Sequence, residues 1–260
     1  MEPPRTIPLT AGGRRLEAYW IGPPPGDSPT LVFLHEGLGS ARAWLSFAEA
    51  VAEATGLGAL VYSRAGYGSS DPADRPFSVR FMHDEALAVL PEVLDAMRID
   101  DAILVAHSDG ASIALIHAAG SGAGRIRALA LESPHSFVEP VTLASIAVLL
   151  DRFQNGDLRR KLERLHGNNT DRIFHAWTEV WLRPEFATWS IEELLPAVTC
   201  PILVIQGKQD EYGTLRQVEA VASRVQGPIE AVLLNDCGHF PHRDRSEETL
   251  AAIARFVSSG

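Results

Sequence analysis

Two cysteines, Cys200 and Cys237, are all that the 260 residues carry. Two thiols build no disulfide framework, and neither belongs to a C-x-x-C pair of the metal-binding kind, so each reads as a small core residue. Cys237 lies close to His239, which brings a cysteine–histidine nucleophile pair into consideration; a serine elsewhere has the better setting. Positive charge is also short: 23 Lys and Arg face 33 Asp and Glu, a formal net charge of -10. That balance argues against a nucleic-acid surface and against anionic membranes, and leaves neutral or cationic small molecules as the easier partners. No apolar run approaches the roughly 20 residues that span a bilayer. Met1-Glu2-Pro3-Pro4-Arg5 lacks the basic segment and apolar run of a signal peptide, so the expected location is the cytoplasm. Internal repeats are missing, and His83, His107, His117, His135, His166 and His175 show no metal-ligand spacing. No metal and no cofactor is expected, and nothing in the sequence separates a monomer from a homodimer.

With 46% hydrophobic and 22% charged residues, the chain has the length and composition of one α/β domain with an insertion. Short apolar runs at Leu31–Leu34, Ala59–Tyr62, Ala102–Ala106 and Ile126–Leu131 alternate with segments of helical period at Ala43–Thr55, Val79–Met97 and Asp109–Ala119. The pattern resumes with Ile202–Ile205, Leu215–Val225, Ile229–Leu234 and Thr249–Val257. Such alternation marks crossover units and a mostly parallel sheet. At the start, Thr6–Thr10 and Arg15–Ile21 are joined by Ala11-Gly12-Gly13, which predicts a hairpin at the sheet edge. Between Phe137 and Pro196 the strand signal stops, and helices are predicted at Thr142–Phe153, Leu158–Leu165, Arg172–Leu182 and near Ile191. The division is therefore a core of residues 1–136 and 197–260 with a helical insertion of 137–196. Trp177, Trp181 and Trp189 all fall in that insertion; they either pack it onto the core or line a pocket beneath it.

The run Ile103-Leu104-Val105-Ala106-His107-Ser108-Asp109-Gly110-Ala111 reads as strand, sharp turn, helix. A serine on so tight a turn needs small residues two before and two after it, where strand and helix nearly touch, and Ala106 and Gly110 supply them. Serine needs a base, and the base needs a carboxylate to hold its tautomer. Asp210 follows the strand-like run ending at Gly207, and His239 follows the next one. His242 is the rival base, but Gly238 and the nearness of the strand end favour His239. Glu211, Asp236 and Glu132 are the rival acids; Asp236 suits a turn and Glu132 follows an earlier strand.

Leu34-His35-Glu36-Gly37, followed by Trp44, resembles the histidine–glycine segment after the third strand of α/β-hydrolases, and Arg64-Ala65-Gly66-Tyr67-Gly68-Ser69-Ser70 resembles their glycine-rich turn after the fourth. With the order Ser, Asp, His, the chain resembles that family over nearly its whole length, and the insertion falls where members carry a helical cap. The resemblance implies a mostly parallel sheet of about eight strands flanked by helices, with a cap. It also implies acyl transfer to water by Ser108 as nucleophile, His239 as base and Asp210 as orienting acid. The oxyanion donors it implies are the N–H of Asp109 and, aligned through His35, that of Gly37; Glu36 stands where glycine is usual, so it stays open as the donor. A small carboxylic ester is the expected substrate. Amide, lactone, thioester and carbon–carbon bonds lie within reach of the same machinery, and a non-catalytic ligand receptor is the alternative from another class.

Asp109 has two readings. At the first turn of the following helix its carboxylate would interact with the helix dipole and bond free N–H groups. Alternatively, Ser108-Asp109-Gly110 resembles the elbow of the valacyclovirase-like branch, which implies a carboxylate pairing the ammonium of an α-amino ester. Trp177, Trp181 or Trp189 is expected to border the acyl or alcohol pocket.

Overall fold

The computed structural model describes residues 4–120 and 122–259; residues 1–3, part of the stretch read above for a leader, lie outside them. Eight strands form the main sheet: β1 (Arg5–Thr6), β4 (Ala18–Ile21), β5 (Thr30–Leu34), β6 (Ala59–Tyr62), β7 (Ala102–His107), β8 (Ile126–Glu132), β9 (Ile202–Gly207) and β10 (Ile229–Leu234). Their order is β1-β4-β6-β5-β7-β8-β9-β10; the first two pairings are antiparallel and the rest parallel. The expected edge hairpin is divided. β2 (Leu9–Ala11) and β3 (Arg14–Leu16) form a separate two-stranded sheet around Gly12 and Gly13, both at positive φ, while β1 and β4 join the main sheet. The break falls at buried Glu17, whose N–H donates to Ser70 Oγ and whose carboxylate accepts from Ser63 and Arg42.

β5, β6, β7 and β9 are buried along their whole length, which is why their sequences are continuous apolar runs. Alternation still decides which face each residue serves. Leu31, Phe33, Ile103 and Val105 pack on the layer of α1 (Ala41–Thr55) and α10 (Ser246–Ser259). Val32, Leu34, Leu104 and Ala106 pack on the other layer, with α2 (Phe81–Asp84), α3 (Leu90–Met97), α4 (Asp109–Ala119) and the α8 helix (Leu215–Arg224). A π-helical turn, Glu85–Val89, joins α2 to α3.

Between β8 and β9 lie α5 (Pro140–Asn155), α6 (Leu158–His166) and α7 (Thr170–Trp181), followed by 3-10 turns at Pro184–Thr188 and Leu195–Ala197. Near Ile191 there is no helix; Ile191 N–H donates to Ser136 O, next to an isolated bridge between Phe137 and Ser190. Among the described residues no helix is long and apolar enough to cross a membrane.

Candidate active site

Strand β7 ends in a turn that places Ser108 at φ 53, ψ -119, a strained conformation for a residue with a side chain. The strain is held by packing. A Cβ on Gly110 would lie 2.2 Å from Leu34 O and 2.8 Å from His35 O, so only glycine lets α4 approach β5 this closely. Ser108 N–H donates to Glu132 O at 3.0 Å, tying the turn to the end of β8.

The three residues predicted to act together meet here. His239 Nε2 is 3.0 Å from Ser108 Oγ, and its Nδ1 is 2.9 and 3.0 Å from the two Asp210 oxygens. With Nδ1–H donating to the carboxylate, neutral His239 keeps Nε2 as an acceptor for the serine hydroxyl. Burial alone would raise the Asp210 pKa; His239 and the Tyr212 N–H nevertheless hold it well below the usual carboxylate range. Asp210 also accepts from Gly213 N–H at 3.1 Å and from Gln206 Nε2 at 2.7 Å. On the far side, His107 Nε2 lies 2.7 Å from His239 O, so it must donate its proton to that carbonyl and thereby anchor the base's backbone. Neither Gln206 nor His107 has a sequence signal beyond flanking the strand ends.

Of the rivals, His242, Glu132 and Asp236 stand apart from the row of Ser108, His239 and Asp210. His242 and Glu132 pair with each other: Glu132 Oε2 accepts from His242 N–H at 3.0 Å and lies 2.8 Å from Nδ1. Trp44 stacks on that histidine, with ring centroids 4.3 Å apart. Glu211 stays beside the triad, accepting from His239 N–H at 3.3 Å, and Asp236 sits in a turn at φ 48. Cys237 is buried, and its thiol pKa is pushed up to about 11, chiefly by burial, so it stays protonated and is no nucleophile at neutral pH. Among the described residues no group of three or more His, Cys, Asp or Glu could hold a metal ion.

Above Ser108 a cavity of about 290 Å³ is walled by Glu36, Gly37, Asp109, His135, Trp177 and Trp181, and by apolar side chains of α5 and α6. Trp189 is not part of the wall; it stacks on Phe186, centroids 5.5 Å apart, and so takes a packing role. Asp109 is fully buried, and its carboxylate accepts from Trp177 Nε1 at Oδ2, 2.8 Å, with the Trp181 indole also close by. The helix N–H groups are thus not its partners. Burial raises its pKa against the charge of Arg64 and the Trp177 hydrogen bond. His135, also buried, has its pKa pushed down to about 3 by burial and by the charge of His239.

The segment after β5 is braced from below. His35 Nε2 accepts from Arg64 N–H at 3.1 Å, and the buried Arg64 guanidinium donates to the carbonyls of His35 and Glu36. The Glu36 carboxylate accepts from Trp44 Nε1 at 3.3 Å and lies 3.6 Å from both His107 Nδ1 and Arg243. Burial opposes its ionisation, yet His107 and Arg243 keep its pKa well below the ordinary value. Gly37 lies against the Trp177 indole, where a Cβ would come within 2.2 Å of Nε1.

The fold recurs in solved structures. The enol-lactonase from Burkholderia xenovorans LB400 superposes with a TM-score of 0.76 at 18% identity, covering 97% of this chain and 100% of that one. The carboxylesterase CesB from Bacillus subtilis gives 0.73 at 18% identity, covering 100% and 93%. The 2-hydroxy-6-oxo-6-phenylhexa-2,4-dienoate hydrolase from Rhodococcus sp. strain RHA1 gives 0.77 at 17%, covering 98% of each. At such identities the likeness is one of fold. No curated protein matches the sequence. The model of the alpha/beta hydrolase family matches residues 31–252, most of the length, and the chain belongs to that family.

Proposed function

We propose that the protein is a serine hydrolase that cleaves a small-molecule carboxylic ester through an acyl-enzyme. The observation that carries this reading is the unbroken row from Asp210 through His239 to Ser108, with both hydrogen bonds within 3.0 Å. Ser108 attacks the carbonyl as His239 takes its proton; His239⁺, paired with Asp210, returns the proton to the leaving alcohol. Water then repeats the cycle to release the acid. The oxyanion is held by the Asp109 N–H and by that of Gly37 or Glu36; donors aimed in advance are worth roughly 3 to 4 kcal/mol each. The inserted helices act as a cap that keeps bulk water from the acyl-enzyme.

The test is labelling by a fluorophosphonate probe together with hydrolysis of p-nitrophenyl esters of varied acyl length. Wild type is expected to label and turn over, and Ser108→Ala to do neither. Folded wild-type protein that does not label would return the chain to the class of ligand receptors. A second reading, hydrolysis of α-amino esters, draws on one observation: Asp109 lines the cavity, and its buried Oδ1 has no hydrogen-bond partner among the described residues.

A further inference from the structure

The chain carries a net charge of -10, yet Arg152, Lys161 and Arg243 all line the cavity over Ser108. Two of them stand beside the apolar stripes of the inserted helices, at the edge that meets solvent. On α6, Leu158, Lys161, Leu162 and Leu165 are spaced i, i+3, i+4, i+7 and share the face that lines the cavity; a lysine interrupts a leucine stripe. On α5 the lining residues Thr142, Ile146 and Leu149 are continued by Arg152 at the same spacing. Both side chains are exposed, that of Lys161 by 60%, so their charged ends stand at the solvent-facing rim of the cavity.

The carboxylates nearby do not balance them. Lys161 Nζ is 2.7 Å from Asp157, while Arg152 has no carboxylate within 4.0 Å among the described residues. Asp157 feels the charge of both cations and is one acid for two bases. Arg243 is shared with the buried Glu36 at 3.6 Å and lies over the Phe240 ring. The remaining acids of the wall are engaged from within, Asp109 by Trp177 and Glu211 by the His239 N–H.

We infer that the substrate carries an anionic group, a carboxylate, which Arg152 and Lys161 receive at the cap while the ester reaches Ser108 through the apolar stretch between. An arginine fork takes a carboxylate in a bidentate pair, and the exposure of Arg152 lets it be reached without stripping a buried ion. The charge of the whole chain governs its long-range field; the charges of this wall govern what is held in it. This inference rests on the ester-hydrolase reading, and its test keeps the two apart.

The experiment compares kcat/KM for the p-nitrophenyl half-ester of adipic acid, whose acyl chain ends in a carboxylate, with that for p-nitrophenyl hexanoate, equal in chain length but ending in methyl. Wild type is expected to prefer the anionic ester by roughly tenfold or more, the size of a charge-assisted hydrogen bond. The ratio is expected to fall by about the same factor in Arg152→Gln, further in the double variant with Lys161→Gln, and to recover in part in Arg152→Lys. Raising salt from about 0.01 M to about 1 M, which shortens the screening length from roughly 30 Å to roughly 3 Å, should compress the preference. A second arm needs no turnover: in Ser108→Ala, tryptophan fluorescence reports binding of monomethyl adipate against dimethyl adipate. Binding discrimination that Arg152→Gln abolishes, with neither ester hydrolysed by wild type, supports the anion site and overturns the ester reading. Hydrolysis of both esters at equal rates, or a preference that survives the double variant, overturns the anion site and leaves the ester reading standing.

Discussion

Trp177 touches both halves of the proposed oxyanion hole: its indole N–H donates to Asp109 Oδ2 at 2.8 Å while its ring lies against Gly37. One residue of α7 thus joins the turn after β7 to the segment after β5. A carboxylate beside the site of a developing oxyanion is unfavourable unless its charge is engaged elsewhere. The indole, with Arg64 nearby, provides that engagement.

Trp177→Phe removes the donor together with part of the indole edge that lies against Gly37. A hydrogen bond to a buried charged group is worth about 1.5 to 3 kcal/mol, so kcat is expected to drop by roughly ten- to a hundredfold. Asp109→Asn preserves an acceptor and should stay much closer to wild type than Asp109→Ala, and Trp177→Phe should add little to Asp109→Ala. If Asp109 instead pairs a substrate ammonium, Asp109→Asn abolishes preference for an amino-acid ester over its des-amino analogue, and Trp177→Phe retains it. Wild-type kcat in Trp177→Phe would sink the bridging role.

Ser108→Ala and His239→Ala are each expected to lower kcat by several orders of magnitude without loss of fold, and the double variant to be little worse than either. The hydroxyl and its base work as a unit, so removing one leaves the other without a task. Independent, multiplying losses in single-turnover assays would separate the two residues.

The sheet was legible because its central strands are buried on both faces and so appear as apolar runs, and the proposed triad because each member lies directly after such a run or in the loop that follows it. The same logic found the shared face of Trp177 and Trp181, one helical turn apart. It failed for Trp189, which lies just beyond the 3-10 turn Pro184–Thr188 and packs on Phe186. It also missed Gln206, His107 and His135, whose roles depend on side-chain direction and on partners far along the chain. His242 and Glu132 show the limit most clearly. Each imitates a triad member in sequence, and the structure joins them to each other, 110 positions apart.

That pair has a structural consequence. Glu132→Ala leaves the His242 N–H and Nδ1 without their acceptor in a fully buried place, so stability is expected to fall by about 3 to 5 kcal/mol. The folded fraction should still label with fluorophosphonate, because Asp210 and not Glu132 lies against His239 Nδ1. Urea unfolding and active-site labelling on the same samples check this; lost labelling with unchanged stability would make Glu132 part of the catalytic row.

The last prediction concerns acid. In the unfolded chain His135 takes up a proton near its ordinary value of 6.5, whereas in the fold it stays neutral down to about 3, because burial and the His239 charge disfavour the imidazolium. The unfolded state therefore binds more protons throughout that interval, and stability must fall as pH drops through it, by at most about 1.4 kcal/mol per pH unit for each such histidine. His35, held low by burial and by Arg64, adds to the same slope. Asp210 and Glu36, whose folded values are also depressed, act in the same direction but only near and below their ordinary values of 3.8 and 4.5. Between pH 6.5 and 4.5 the depressed histidines, His117, His166 and His83 among them, are opposed by Glu85, raised to about 6 by burial, and by Asp109, also raised by burial, and they outnumber these two. Urea unfolding across that window should show wild type losing stability steadily, and His135→Gln losing it less steeply by about one proton's worth of slope. Parallel lines for the two proteins would mean that His135 takes up its proton within the fold.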